Sequence, residues 1–159
     1  RLAVVSCSNY PAGFFNAYRA IAERLEVDAV VHVGDYIYEF ANGTFGEGAS
    51  IDRVPDPPHE ATSLDDYRRR YAIYRRDADL QALHQAVPMI AVWDDHEFAD
   101  NAWFGGYGSG SDGWAARRAA AIRAYREWMP IRERVSDGTF EIYRHFQFGA
   151  LAEIGRAHV

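Results

Sequence analysis

Cys7 is the only cysteine in the sequence, so no disulfide can form within the chain. A lone cysteine, with nothing else around it, is most often a small buried apolar side chain. No apolar run approaches the ~20 residues that a membrane-crossing helix needs. Basic residues do not prevail either. Seventeen Lys and Arg stand against 23 Asp and Glu, a net charge of −6. A nucleic-acid partner, whose phosphates call for a basic surface, is therefore not expected. That acidity does not exclude a phosphate ester held through cations, because carboxylates that bind metals themselves make a chain acidic. No glycine-rich phosphate loop joins the first strand-like segment to the helix after it, which argues against a nucleotide-binding domain. Internal repeats and low-complexity tracts are also missing. No leader segment is recognisable, and Arg1 runs straight into the strand-like Leu2-Ala3-Val4-Val5. The natural N-terminus is thus expected upstream, and the missing leader says nothing about location.

What is present is ordinary globular composition: 159 residues, 48% hydrophobic and 25% charged, enough for one domain with a real core. Leu2 to Ser6 reads as a buried strand. Gly13 to Leu25 follows with Phe14, Tyr18, Ile21, Ala22 and Leu25 on one helical face, and Val27 to Val33 forms a second apolar run. Strand, helix and strand in that order predict a βαβ unit and a parallel sheet. Residues 39–62, broken by Asn42-Gly43, Gly46, Gly48, Pro55, Pro57 and Pro58, read as a long loop. Ser63 and Asp66 hold capping-box positions before a helix carrying Tyr67, Tyr71 and Tyr74, a stripe expected to pack in the core. Asp77 caps a further helix that ends at Pro88. Met89 to Trp93 is the third buried strand, Gly105 to Gly113 a glycine-rich loop, and Trp114 to Met129 a helix closed by Pro130. Phe140, Ile142, Phe146 and Phe148 alternate, which predicts one strand over 140–148.

Three strands end in polar residues: Ser6-Cys7-Ser8-Asn9, Gly34-Asp35-Tyr36-Ile37-Tyr38-Glu39 and Asp94-Asp95-His96-Glu97. Open α/β sheets bind ligands outside the carboxyl ends of their strands, so these segments can converge on one spot. Gly34 permits a sharp turn before Asp35, and the three-residue step can return Tyr38 to the same side. A carboxylate and a tyrosinate are both hard anionic ligands, suited to a hard cation. The alternative is that Asp35 caps a turn and Tyr38 packs its ring. Adjacent carboxylates at Asp94 and Asp95 repel unless a cation or hydrogen bonds hold them. One of the two is then a ligand and the other structural, the alternative being a solvated acidic turn. Among the other polar residues, His32 reads as a satisfied core histidine, and His59 and His84 as surface residues. His145 is either buried against a second layer or exposed. Asn101 is a candidate support for the site, and Arg117, Arg118 and Arg123 form a solvated helix face.

Taken in order, Ser-Cys at the first strand, Gly-Asp-Tyr-Ile-Tyr-Glu, the Asp-Tyr-Arg-Arg-Arg-Tyr-Ala-Ile-Tyr-Arg-Arg-Asp stretch and Trp-Asp-Asp-His-Glu resemble the PhoD-like (alkaline phosphatase D) metallophosphatases. The resemblance runs from about Ala3 to Leu151. It implies an α/β fold, a calcineurin-like αββα sandwich, of which this chain would hold the first half with a mainly parallel sheet. It implies metal ligands at Cys7, Asp35, Tyr38 and Asp95, with Asp35 bridging two ions and Tyr38 on the ferric one. His96 would face the phosphate as general acid. The cofactors implied are Fe3+ and Ca2+, the substrate a phosphate mono- or diester, and the location extracellular or periplasmic. Residues 1–152 would be the partial phosphatase domain. The last seven residues, Glu153 to Val159, do not resemble the family, and 153–159 is expected to be a non-native tail, so that His158 is not a ligand. On this reading the sheet should expose apolar surface on an open side, and the chain alone should bind metal weakly and hydrolyse little. The competing reading is a non-catalytic calcium-binding or interaction module.

Overall fold

The computed structural model describes residues 1–24, 26–108, 110–129, 131–132, 134–136 and 139–155. The chain divides into two units, Arg1–Met129 and Pro130–Val159. The first is built on strands β1 (Leu2–Val5), β2 (Ala29–His32) and β3 (Met89–Ala91), hydrogen-bonded in parallel in that spatial order. The register sets Val5 beside His32 and His32 beside Ala91, so the three strands end level with one another. The middle strand β2 is buried along its whole length, as parallel strands between covered faces are. Val4 of β1 is 67% exposed, and Val33, just past the end of β2, is 40% exposed.

Helix α1 (Asn16–Ala22) joins β1 to β2, and α2 (Leu64–Tyr74) and α3 (Ala78–Ala86) lie between β2 and β3. Helix α4 (Trp114–Trp128) follows. The chain is not yet helical at Phe14 and Phe15, because a 3-10 turn at Tyr10–Ala12 with Pro11 in its first turn intervenes. Helix α1 packs on α3, and α2 on α4. The tyrosine stripe of α2 is core, as expected: Tyr67, Tyr71 and Tyr74 are fully buried, and Tyr71 stacks on Trp128. Asp77 caps α3 by accepting from the backbone of Asp79 and Leu80, and also takes the Arg53 guanidinium at 2.7 Å.

The capping box of α2 is complete. Ser63 accepts from Asp66 N, and Asp66 accepts from Ser63 N at 2.9 Å, Ser63 Oγ at 2.8 Å and Thr62 N at 3.2 Å. Burial works against the charged Asp66, but these bonds and His59 win and hold its carboxyl down to about 2. A carboxyl depressed on folding stabilises the fold above its unfolded pKa near 3.9 and loses that contribution as pH falls toward the folded value. Asp66→Ala should therefore cost about 1–2 kcal/mol at pH 7. In urea titrations the gap between wild type and variant should close as pH falls from about 4 to about 2. A gap independent of pH would show that the carboxylate charge is not what caps the helix.

In the second unit, β4 (Arg134–Ser136) pairs antiparallel with β5 (Thr139–Glu141), and β6 (His145–Phe148) with β7 (Ala152–Gly155). The single strand expected over 140–148 is thus two strands, each closed by its own hairpin partner, with Gly149 at φ 57° in the turn after β6. Residues 153–155 lie in β7, and His145 meets Glu153 at 2.9 Å on the surface. His158 lies outside the described residues.

Candidate metal centre

The loops leaving β1, β2 and β3 continue side by side. Cys7 N donates to Gly34 O at 3.2 Å and Ser8 N to Asp35 O at 2.8 Å, extending the β1–β2 pairing past the strand ends. Cys7 and Asp35 both hold left-handed backbone, φ 60° and 55°. For side chains other than glycine this costs about 1–3 kcal/mol and persists only where the surroundings over-determine it. Gly34, at φ 116°, is a point of close approach between the loops that follow β2 and β3: a Cβ there would lie 2.5 Å from Asp94 Cβ. Only glycine lets the two loops approach this far.

Glu97 locks that approach. It is buried and accepts from Tyr36 N at 2.6 Å, Asp94 N at 2.8 Å and Asp35 N at 3.1 Å. Burial pushes its carboxyl up to about 7 against the pull of those backbone donors. One side chain therefore sets Asp35, from β2, against the Asp94-Asp95 turn, from β3.

The five residues singled out in the sequence meet around Asp35, with Cys7 joined to Asp35 but outside the group that Asp35, Asp95 and His96 form. Cys7 Sγ and the Tyr38 hydroxyl both donate to Asp35 Oδ2, at 3.4 and 3.2 Å. Asp35, Asp95 and His96 each offer a ligand atom within 4.8 Å of the others. Asp95 Oδ2 accepts from Asn101 N at 2.6 Å and lies 4.0 Å from His96 Nε2. The His96 ring stacks on Tyr38, centroids 4.2 Å apart, and its Nδ1 donates to Glu39 Oε2 at 2.9 Å. Burial disfavours the imidazolium, but the Glu39 bond and charge, with Asp95 and Asp35, prevail and push its pKa up to about 9. Tyr38 is held in its neutral form by burial, by Cys7 and by the Asp35 charge. A cation would reverse that balance, since a bound ion is the largest local charge in a site.

The fit to a cation rests on Asp35. Its Oδ1 is buried and has no hydrogen-bond partner. An anionic oxygen left without a donor is costly, and a metal ion satisfies it. The neighbouring donors are mostly oxygens, the set hard cations take.

Several residues lie elsewhere than the sequence suggested. Cys7 is exposed, not buried. His32 is the core histidine expected: Gly34 N donates to its Nδ1 at 3.3 Å, and its Nε2 reaches Tyr18 and Ser8 at 3.1 and 3.3 Å. Burial lowers its pKa to about 4, so it stays neutral. His84, expected at the surface, is half-buried and bonded to the Tyr36 hydroxyl at 2.8 Å, because its spacing from Leu80 places it on the inner face of α3. Arg117, expected in solvent, is 7% exposed and binds Tyr67 Oη, Glu60 and the carbonyls of Phe98 and Ala61. Asn101 supports the site through its backbone and not its amide. Glu39 and Glu97 were not singled out. For Glu39 the available signal was a carboxylate between Tyr38 and Phe40, which must find donors when buried; Glu97, among Asp94, Asp95 and His96, carried no such signal.

Fold and geometry define an α/β protein with a polar site gathered at the carboxyl ends of a parallel sheet, where such sheets hold ligands. Among the described residues, no helix is long and apolar enough to cross a membrane. The sequence matches the PhoD-like phosphatase family over residues 2–156, and the chain belongs to that family. It is 39% identical to alkaline phosphatase D of Bacillus subtilis (strain 168), over 94% of this chain and 26% of that protein. It is also similar to a solved structure of PhoD, with a TM-score of 0.82 and 37% identity over 97% of this chain and 30% of that one. The chain thus spans 26–30% of the length of these relatives.

Proposed function

We propose that the whole protein is an exported metal-dependent hydrolase of phosphate mono- or diesters, with its ions held at the ends of β1, β2 and β3. The observation that carries this is the state of Asp35. Cys7 and Tyr38 converge on one of its oxygens, the other is buried without a donor, and Asp95 and His96 lie alongside. Cys7, Asp35, Tyr38 and Asp95 would hold the metal. Ferric iron and calcium are the ions the family resemblance implies, and the oxygen donors suit both, with Cys7 the softer exception. The parallel sheet would be the first half of a calcineurin-like αββα sandwich whose remainder supplies further ligands. Export, to the periplasm or the outside, rests on the same resemblance.

Bound cations supply positive charge against the phosphate oxygens and Lewis acidity toward water. The chain's own part is positioning and proton transfer. Glu39 and the Tyr38 ring fix the His96 imidazole, and Glu39 keeps it protonated. A water oxygen bonds to phosphorus and releases a proton to solvent, from which His96 later regains one, as the P–O bond to the alcohol breaks. The electron pair of that bond leaves on the alcohol oxygen, which takes the Nε2 proton of His96.

The test is hydrolysis of 4-nitrophenyl phosphate and bis(4-nitrophenyl) phosphate by the whole protein, before and after chelation, with metal content measured in parallel. Hydrolysis of at least one ester, lost on chelation and in Asp35→Asn together with bound metal, is the expected result. Calcium binding with neither ester cleaved would instead make this a calcium-binding module and contradict the proposal.

A further inference from the structure

A cavity of about 290 Å3 opens beside Cys7, between the β1 end and the start of α1. Its lining includes Cys7, Asn9, Phe14, Phe15, Ala17 and Tyr18, and among the described residues that line it none is Asp, Glu, Lys, Arg or His. Phe14 stands 59% exposed at this wall. Arg53, which does not line the cavity, lies against the rings, 5.0 Å from the Phe14 centroid and 4.9 Å from that of Phe15. Asp77 neutralises Arg53 at 2.7 Å, so the wall presents ring faces and not charge. The cavity meets the candidate metal centre at Cys7, whose Sγ is 3.4 Å from Asp35 Oδ2.

We infer that this cavity receives the organic group of the phosphate ester, and that the group is small and uncharged, of aryl or short alkyl kind. The inference rests on the phosphate-ester reading and adds its substrate class. The phosphate takes its charge compensation from the metal side. The organic group lies against phenyl rings and neutral polar atoms, and among the described residues that line the cavity there is no cation to meet a second anionic charge. A carboxylate placed there loses water without gaining a partner, which is costly. The volume stands at the small end of ligand sites, room for about one ring.

Two nearly isosteric esters test this in the whole protein: 4-carboxyphenyl phosphate and its methyl ester. The neutral ester should show kcat/KM about tenfold or more above the carboxylate. Ala17→Phe, an exposed position on α1, should raise KM for the neutral ester while metal content and competitive inhibition by inorganic phosphate stay unchanged. Methyl 4-hydroxybenzoate, the released phenol, should shift the NMR signals of Phe14 and Ala17 in the whole protein. Equal rates for the two esters, with Ala17→Phe and the NMR signals indifferent, would overturn the pocket while leaving hydrolysis standing. Failure of inorganic phosphate to inhibit the wild-type protein would instead strike the phosphate-ester reading beneath it.

Discussion

Replacing Arg70 by Met should lower the unfolding free energy by about 3–5 kcal/mol, far more than an ordinary helix arginine contributes. Arg70 is fully buried in the middle of α2. Its Nη1 donates to the carbonyls of Tyr38 and Phe40, and its Nη2 to those of Pro57 and His59, at 2.8 and 3.0 Å. Burial lowers its pKa, yet the surroundings of Tyr74, Glu39, Asp66 and Asp56 favour the charged form. Methionine fills much of the volume and removes the cost of desolvating a cation, which offsets part of the loss. What it leaves is four carbonyls from two separate segments without a donor, each costing about 1–3 kcal/mol when buried. For a domain of this size the melting temperature should fall by about 10 °C. Two of those carbonyls flank Glu39, so the variant should also weaken metal binding. A loss below about 1 kcal/mol in urea titration would mean that water replaces the guanidinium, and would refute the buried staple.

His96→Ala should lower the turnover of the whole protein by about 10²–10⁴-fold, the usual worth of a positioned proton donor, with metal content nearly unchanged. The imidazole is aimed by its Nδ1 bond to the buried Glu39 and by stacking on Tyr38, which leaves Nε2 on the side of Asp95. Glu39→Gln keeps the shape and a hydrogen-bonding partner but removes the charge that sustains the imidazolium. Its loss should therefore be smaller, about tenfold. Steady-state kinetics with metal analysis check both. Unchanged turnover in His96→Ala would remove the residue from the chemistry, and loss of metal in proportion to activity would make it a ligand.

The parts of this molecule legible in the sequence are those written in local patterns. The β1-α1-β2 unit, the Ser63–Asp66 box, the Asp77 cap and the tyrosine stripe follow from spacing over a few residues, and the structure has each of them. The convergence of Cys7, Asp35, Tyr38, Asp95 and His96 was legible because parallel strands deliver their carboxyl ends to one side. The residues that hold the site in shape were not. Long charged side chains read as surface, although Arg70, three after Tyr67 and four before Tyr74, and Arg117, three after Trp114 and four before Ala121, share the buried faces of their helices. Their partners lie 11 to 57 residues away, mostly backbone carbonyls that carry no side-chain signal. Glu97 is the same case in reverse, a carboxylate whose partners are backbone N–H groups of two loops. The alternation over 140–148 misled because it persists across a break at 142–144, where the chain leaves one hairpin for the next.

The proposed hydrolysis depends on the binding of a hard cation by Tyr38 and its neighbours. That binding is tested most directly by the visible absorption spectrum of the iron-loaded whole protein beside its Tyr38→Phe variant. A ferric–tyrosinate band is expected in the wild type and should disappear in the variant while the far-UV circular dichroism stays the same. A wild type without such a band, or a band that survives the loss of the phenol oxygen, would contradict it.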